Sequence, residues 1–370
     1  MAWKTRSLEG ECTRRGTGVL RAMRPGFLKL AALFALVLVA GVIGATVYLL
    51  RDPAAPLPWA APLRALPNAA ASAGPAQTPR RVSATDSRKV DEILDSVDKL
   101  LRQGKAAEAE AVVRGALEQF AADQRLHVAM AELLLGKDEL AGAYESYLRA
   151  LAAGDRDAKL EFQAGTVASM LGKNDRAIEH YGAAQTADPS NAEYPLYLGQ
   201  VQLQLNKLNE ARANLVRAGS LNPEDARVWG SLAEIALREN KLDAAAQQIE
   251  KARKLQPRVT LWRAIDARIN LRAGKPEQAV ELLVALEPAE KTQEFYARVL
   301  ADALSAARRD ADAAEILANA SDAAPKNANL AFDAAVRAKR AGKTEAFDRL
   351  RERAKQLRHP DADTLGASAP

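Results

Sequence analysis

The chain has 370 residues, a mass of 39.8 kDa and a formal net charge of +5, an excess too small to argue for nucleic acid. Aromatic residues make up only 5%, which disfavours aromatic-rich sandwiches and propellers and favours a helical core of Ala, Leu, Val and Ile. A single cysteine, Cys12, and three histidines exclude an internal disulfide scaffold and a Cys/His zinc site.

The first element in chain order is an unbroken apolar run, Leu30 to Leu50, bounded by Lys29 and Arg51. As a helix it would be about 31 Å long, close to the hydrocarbon thickness of a bilayer. It predicts an uncleaved transmembrane helix over 30–50. A cleaved signal peptide is the rival reading, but its apolar region is normally shorter, at about 7–15 residues. Lys4, Arg6, Arg14, Arg15, Arg21, Arg24 and Lys29 precede the run, and only Arg51 and Arg64 follow closely. Positive flanks stay in the cytoplasm. Residues 1–29 are therefore expected as a cytoplasmic tail and everything after 50 on the far side. A start at Met23 would leave the two flanks nearly balanced.

Residues 51–87 hold seven prolines among Ala and small polar residues. Such a segment reads as an extended linker that holds the folded part off the bilayer.

From residue 88 the pattern becomes that of amphipathic helices with a strict repeat. Pro189, Pro223 and Pro257 are 34 residues apart, and Pro325 lies two periods on. Small residues recur in the same register: Ala131, Gly165, Gly199, Ala233, Ala267, Ala301 and Ala335. A second column is Ala109, Ala143, Ala177, Ala211, Ala245, Ala279 and Ala313. A third is Ala116, Ala150, Ala184, Ala218, Ala252, Leu286, Ala320 and Ala354. Small residues let helices approach closely, so each unit is expected as an antiparallel pair, helix A then helix B. In the unit 190–223 the larger residues Tyr197, Leu198, Val201, Leu205, Leu208, Leu215 and Leu221 are expected to fill the space between them. The turn proline ends helix B.

The period and these columns resemble the tetratricopeptide repeat family. The unit 224–257 carries Trp229, Leu232, Ala233, Ala245, Ile249, Ala252 and Pro257 where the family places its signature. The resemblance implies an all-α, right-handed superhelical solenoid of about eight helix pairs over 88–357, with a flexible tail over 358–370. Pro288 falls three residues before its expected place, so that inter-repeat turn should be irregular. Phe347 replaces the small residue of the second column in the last unit, which reads as a degenerate cap.

Apparent catalytic signals dissolve in this register. Gly342-Lys343-Thr344 looks like the end of a phosphate-binding loop, but Arg337 stands where that motif needs glycine. Gly104-Lys105, Gly172-Lys173 and Gly274-Lys275 share its register and mark the turn between helices A and B, where Gly takes a left-handed cap. His127, His180 and His359 sit in different units without ligand spacing and read as surface or partly packed residues. The acidic residues read as solvated helix faces. No cofactor, metal or catalytic set is expected.

By its resemblance the array implies a groove lined mostly by the A helices that binds extended peptides or a partner's helix. The positions carried over are Glu193, Gln200, Gln204, Arg227, Glu234, Arg238, Arg268, Arg272, Arg298 and Asp302. Their arginines suit an acidic partner segment. The expected molecule is a non-enzymatic adaptor, single-pass in a bacterial inner membrane with its repeats in the periplasm, binding protein partners during assembly of an envelope complex. No nucleic acid and no small-molecule substrate are expected. The alternatives are a repeat subunit of a polysaccharide synthesis or export complex, and a tethered adaptor facing the cytoplasm.

Overall fold

The computed structural model describes residues 84–366. The apolar run 30–50, the basic tail 1–29 and nearly all of the proline-rich linker lie outside the described residues. Among the described residues no helix is long and apolar enough to cross a membrane.

Those residues form an all-helical solenoid of sixteen long helices and no strand. They follow one another as eight A–B hairpins. The first three are α1 (Ala84–Arg102) with α2 (Ala106–Gln119), α3 (Gln124–Leu135) with α4 (Leu140–Ala153), and α5 (Ala158–Met170) with α6 (Asn174–Ala187). Then come α7 (Glu193–Gln204) with α8 (Leu208–Leu221), and α9 (Ala226–Arg238) with α10 (Leu242–Leu255). Next is α11 (Thr260–Arg272) with α12 (Pro276–Val284), followed by a single-turn helix, α13 (Pro288–Lys291). The last two are α14 (Glu294–Ala306) with α15 (Asp310–Ala323), and α16 (Ala328–Arg340) with α17 (Thr344–Gln356). The chain divides into two compact units. Residues 84–156 and 166–173 belong to one, and residues 157–165 and 174–366 to the other.

The small-residue columns are where close approach demands them. Every alanine of all three columns is buried, as are Gly165 and Gly199. A Cβ on Gly199 would sit 2.8 Å from Leu215 Cγ and 3.1 Å from the Ala211 carbonyl, so α7 and α8 meet backbone to side chain. At Phe347 the column is filled by a fully buried ring instead.

The A–B turns obey one conformational rule. Gly104, Gly172, Gly274 and Gly342 all have φ near +70°, as expected of left-handed caps, and Asp138, Asn206, Asn240 and Arg308 hold the same conformation in the same register. Asn and Asp tolerate it because their short polar side chains bond locally. Arg308 has no such relief. At the A-helix starts, Asp123, Asp225 and Asn327 accept a backbone N–H as N-caps.

Three local expectations meet a sharper outcome. The turn at Pro288 is irregular: α12 stops at Val284, and α13 is inserted with a Glu287/Glu290 capping box. Leu221, expected in the core of its unit, is 41% exposed because it lies on the outer side of α8's last turn. The segment expected as a tail from 358 onward carries a 3-10 turn (Ala362–Leu365), and Ala362 is buried against Ala331, Phe332 and Ala354.

Candidate functional site

The ten positions carried over from the repeat pattern all fall on A helices of the second unit: α7, α9, α11 and α14. These helices touch in sequence, α7 with α9, α9 with α11 and α11 with α14, so their faces form one continuous strip. On that strip most charges are already engaged.

Arg227 leads α9. Its Nε and Nη2 donate to the Asp225 carboxylate at 3.0 and 2.6 Å, and its Nη1 donates to the Tyr197 hydroxyl at 3.2 Å. Glu193, one repeat earlier, stands 3.7 Å away. Burial works against the charge on Arg227, but the Asp225 carboxylate more than offsets it and holds the guanidinium pKa above its ordinary value. Asp225 is also the N-cap of α9, so one carboxylate starts the helix and orients its arginine. Asp123, Arg125 and Asp91 repeat the device in the first unit, with Arg125 Nη1 donating to Asp91 at 2.5 Å.

The centre of the strip is a buried cluster. Glu234 is only 2% exposed. Arg238 Nε donates to its Oε1 at 3.1 Å from the same helix, and Arg268 Nη1 donates to its Oε2 at 2.6 Å from α11. Arg238 also donates to the Leu203 carbonyl at 2.9 Å. A carboxylate this buried requires such partners, because an uncompensated buried charge costs several kcal/mol. The expectation of solvated acidic faces is therefore corrected at Glu234.

Further along, Arg298 is held by Glu294 at 3.0 Å and by Asp333 of α16. Asp302 is paired with Arg337 of α16, which also donates to Ser305 Oγ at 2.5 Å. Gln200 is half-buried with its Oε1 covered and without a hydrogen-bond partner. Gln204 is half-buried beside it. Arg272 is exposed and makes no hydrogen bond or ion pair among the described residues.

Sequence reasoning did not single out Asp225, Asp333 or Arg337 as partners. A signal was present for the two later pairs: Arg298/Asp333 and Asp302/Arg337 are 35 residues apart, close to the repeat spacing of Asp91/Arg125, Glu193/Arg227 and Glu234/Arg268, whereas Asp225 lies two residues from Arg227.

The three histidines are buried, not surface residues. His127 Nε2 lies 2.8 Å from the Ala121 carbonyl, and His180 Nδ1 lies 2.7 Å from Glu161, itself 2% exposed. His359 stacks on Phe332 at 4.1 Å and accepts the Asp361 N–H at 3.1 Å. His127 and His180 each meet a partner inside their own repeat. Among the described residues no cluster of His, Cys, Asp and Glu could hold a metal ion.

Comparison with known proteins agrees with this geometry. The tetratricopeptide repeat signature matches residues 170–235. No curated protein matches the sequence. Among solved structures, a tetratricopeptide repeat protein from Parabacteroides merdae superposes with a TM-score of 0.54 at 16% identity, covering 64% of this chain and 93% of its own. PilF of Pseudomonas aeruginosa gives 0.49 at 20% identity, covering 59% and 99%. YrrB, described as having an unusual peptide-binding site, gives 0.44 at 18% identity, covering 49% and 96%. The family signature thus covers the middle of the chain, and a solved repeat protein shares the fold of much of its length.

Proposed function

We propose that this protein is a membrane-anchored, non-enzymatic adaptor. Its repeats stand in the bacterial periplasm and hold partner proteins during assembly of an envelope complex. The observation that carries the binding role is the strip formed by α7, α9, α11 and α14. Successive A helices touch, and most of their charged side chains are fixed by partners on the same or a neighbouring A helix, as in Glu234 with Arg238 and Arg268. A face with its side chains already immobilised loses less conformational entropy when it binds. The partner-facing residues are Glu193, Gln200, Gln204, Arg227, Arg272, Arg298 and Asp302, set on the buried Glu234, Arg238 and Arg268 cluster beneath them. The anchor rests on the apolar run 30–50, and its orientation on the basic residues before it.

Two fusions test the topology. A C-terminal phosphatase that folds only in the periplasm should be active, and a cytoplasmic reporter at the same site should be silent. The reverse result removes the periplasmic reading. Site-specific photo-crosslinkers at Gln204 and Arg272 should trap partner proteins. A crosslinker at exposed Val216 on α8 should not. Equal trapping at all three positions removes the A-helix strip as the binding face.

A further inference from the structure

We propose that the strip takes an acidic side chain of an extended partner segment at one step, between α9 and α11, on the guanidinium of Arg272 backed by Arg268. This deepens the adaptor reading and rests on it.

The argument is one of register. Arg238 and Arg272 occupy equivalent positions on α9 and α11, 34 residues apart. One turn before Arg238 stands Glu234, which it binds at 3.1 Å. One turn before Arg272 stands another arginine, Arg268, and that side chain is turned back to Glu234 at 2.6 Å. Two guanidiniums thus share one carboxylate, and Arg272, one turn beyond Arg268 on α11, is left without one. Like charges at i and i+4 repel by a few tenths of a kcal/mol, and nothing on α11 relieves Arg272. Acids on or flanking the adjacent A helices are committed elsewhere. Asp266 is bound by Arg253 and by Asn270 at 3.0 Å, Glu239 by Arg212 and by Lys241 at 3.0 Å, and Asp302 by Arg337.

Elsewhere the strip is balanced. Arg227 faces Asp225 and Glu193, and Arg298 faces Glu294 and Asp333. The excess positive charge is therefore local, and a carboxylate is its complement. A carboxylate can take two guanidinium N–H groups at once. The step lies in the middle of four contiguous A helices, with α7 on one side and α14 on the other. That placement suits an Asp or Glu within a segment whose chain runs both ways, rather than a chain end.

The test is selection of random peptides, displayed with their C-termini blocked by fusion, on the full-length chain in detergent micelles. The selected peptides should be enriched in Asp or Glu at one position. Synthetic copies should bind alike with free or amidated C-termini. Arg272→Glu should weaken them at least about tenfold, and Arg272→Lys should recover part of the loss. Arg272 is exposed, so both variants should keep the helical circular dichroism of the parent. Selection without acidic enrichment, binding unchanged by Arg272→Glu, or binding that needs a free terminal carboxylate each overturns the acidic step while leaving the strip as a peptide site. Failure to select any peptide overturns the peptide-binding face itself.

Discussion

Arg268 reaches back one full repeat to Glu234, with Nη1 2.6 Å from Oε2 and both side chains nearly buried. Arg238 closes on the same carboxylate from its own helix. The cluster locks α9 to α11 at a point where the column residues Ala233 and Ala267 supply only small side chains.

Removing the shared carboxylate should therefore cost far more than removing the exposed Arg272 one turn beyond it. Glu234→Gln leaves two guanidiniums facing each other out of water and should destabilise by about 3–5 kcal/mol. Arg272→Gln, exposed and unpaired, should stay within about 0.5 kcal/mol. Urea denaturation followed by circular dichroism measures both. Equal midpoints for the two variants would show that Glu234 is not the keystone of the step.

Glycines in this array split into two kinds, and alanine scanning should separate them. A Cβ on Gly230 would lie 2.1 Å from the Trp262 ring, whereas one on Gly182 would meet nothing within 4 Å. Alanine gains about 1 kcal/mol in helix propensity at either site, and overpacking costs about 1–3 kcal/mol. Gly182→Ala should raise the thermal midpoint. Gly230→Ala should lower it and shift the tryptophan emission as Trp262 moves.

Much of the fold was legible because it rests on residue size. A 34-residue recurrence of Ala and Gly needs no side-chain geometry to be read, and the buried columns follow it down to Leu286. The A–B turns were legible only where glycine marked them. Asn206, Asn240, Asp138 and Arg308 take the same left-handed conformation but are common in other settings, so the register alone reveals them. The site was legible as a set of positions and not as an electrostatic state. Whether Arg268 faces a ligand or Glu234 depends on which rotamer finds a partner across the repeat, and composition does not encode that. The burial of Glu161 with His180 escaped notice for the same reason: the pair is 19 residues apart and meets only once α5 and α6 are folded.

Arg308 is the one bulky side chain among the eight left-handed turn positions, with φ of +61°. A left-handed non-glycine residue costs about 1–2 kcal/mol, and glycine gives back part of the gain through its looser unfolded chain. Arg308→Gly should stabilise by about 0.5–1 kcal/mol. Asn240→Gly, starting from a tolerated residue, should change little. Thermal melts of the two variants decide this. A destabilised Arg308→Gly would mean that the arginine makes contacts that outweigh its backbone strain.

Acid should loosen the array through carboxylates that cations hold ionised. The Arg212 and Lys241 side chains beside Glu239 keep its pKa below the usual 4.5, and Lys137 and Arg114 do the same for Glu110. A depressed folded-state pKa adds stability that is fully present above the unfolded value and is lost as pH falls through the folded one. The urea midpoint should therefore be level at neutral pH and fall once the solution passes below about 4.5. Glu239→Gln removes one such group: its midpoint should start lower at neutral pH and fall less steeply in acid than that of the parent. An acid limb equally steep in Glu239→Gln would place the pH sensitivity in other carboxylates and leave the Arg212–Glu239–Lys241 contact without a role in stability.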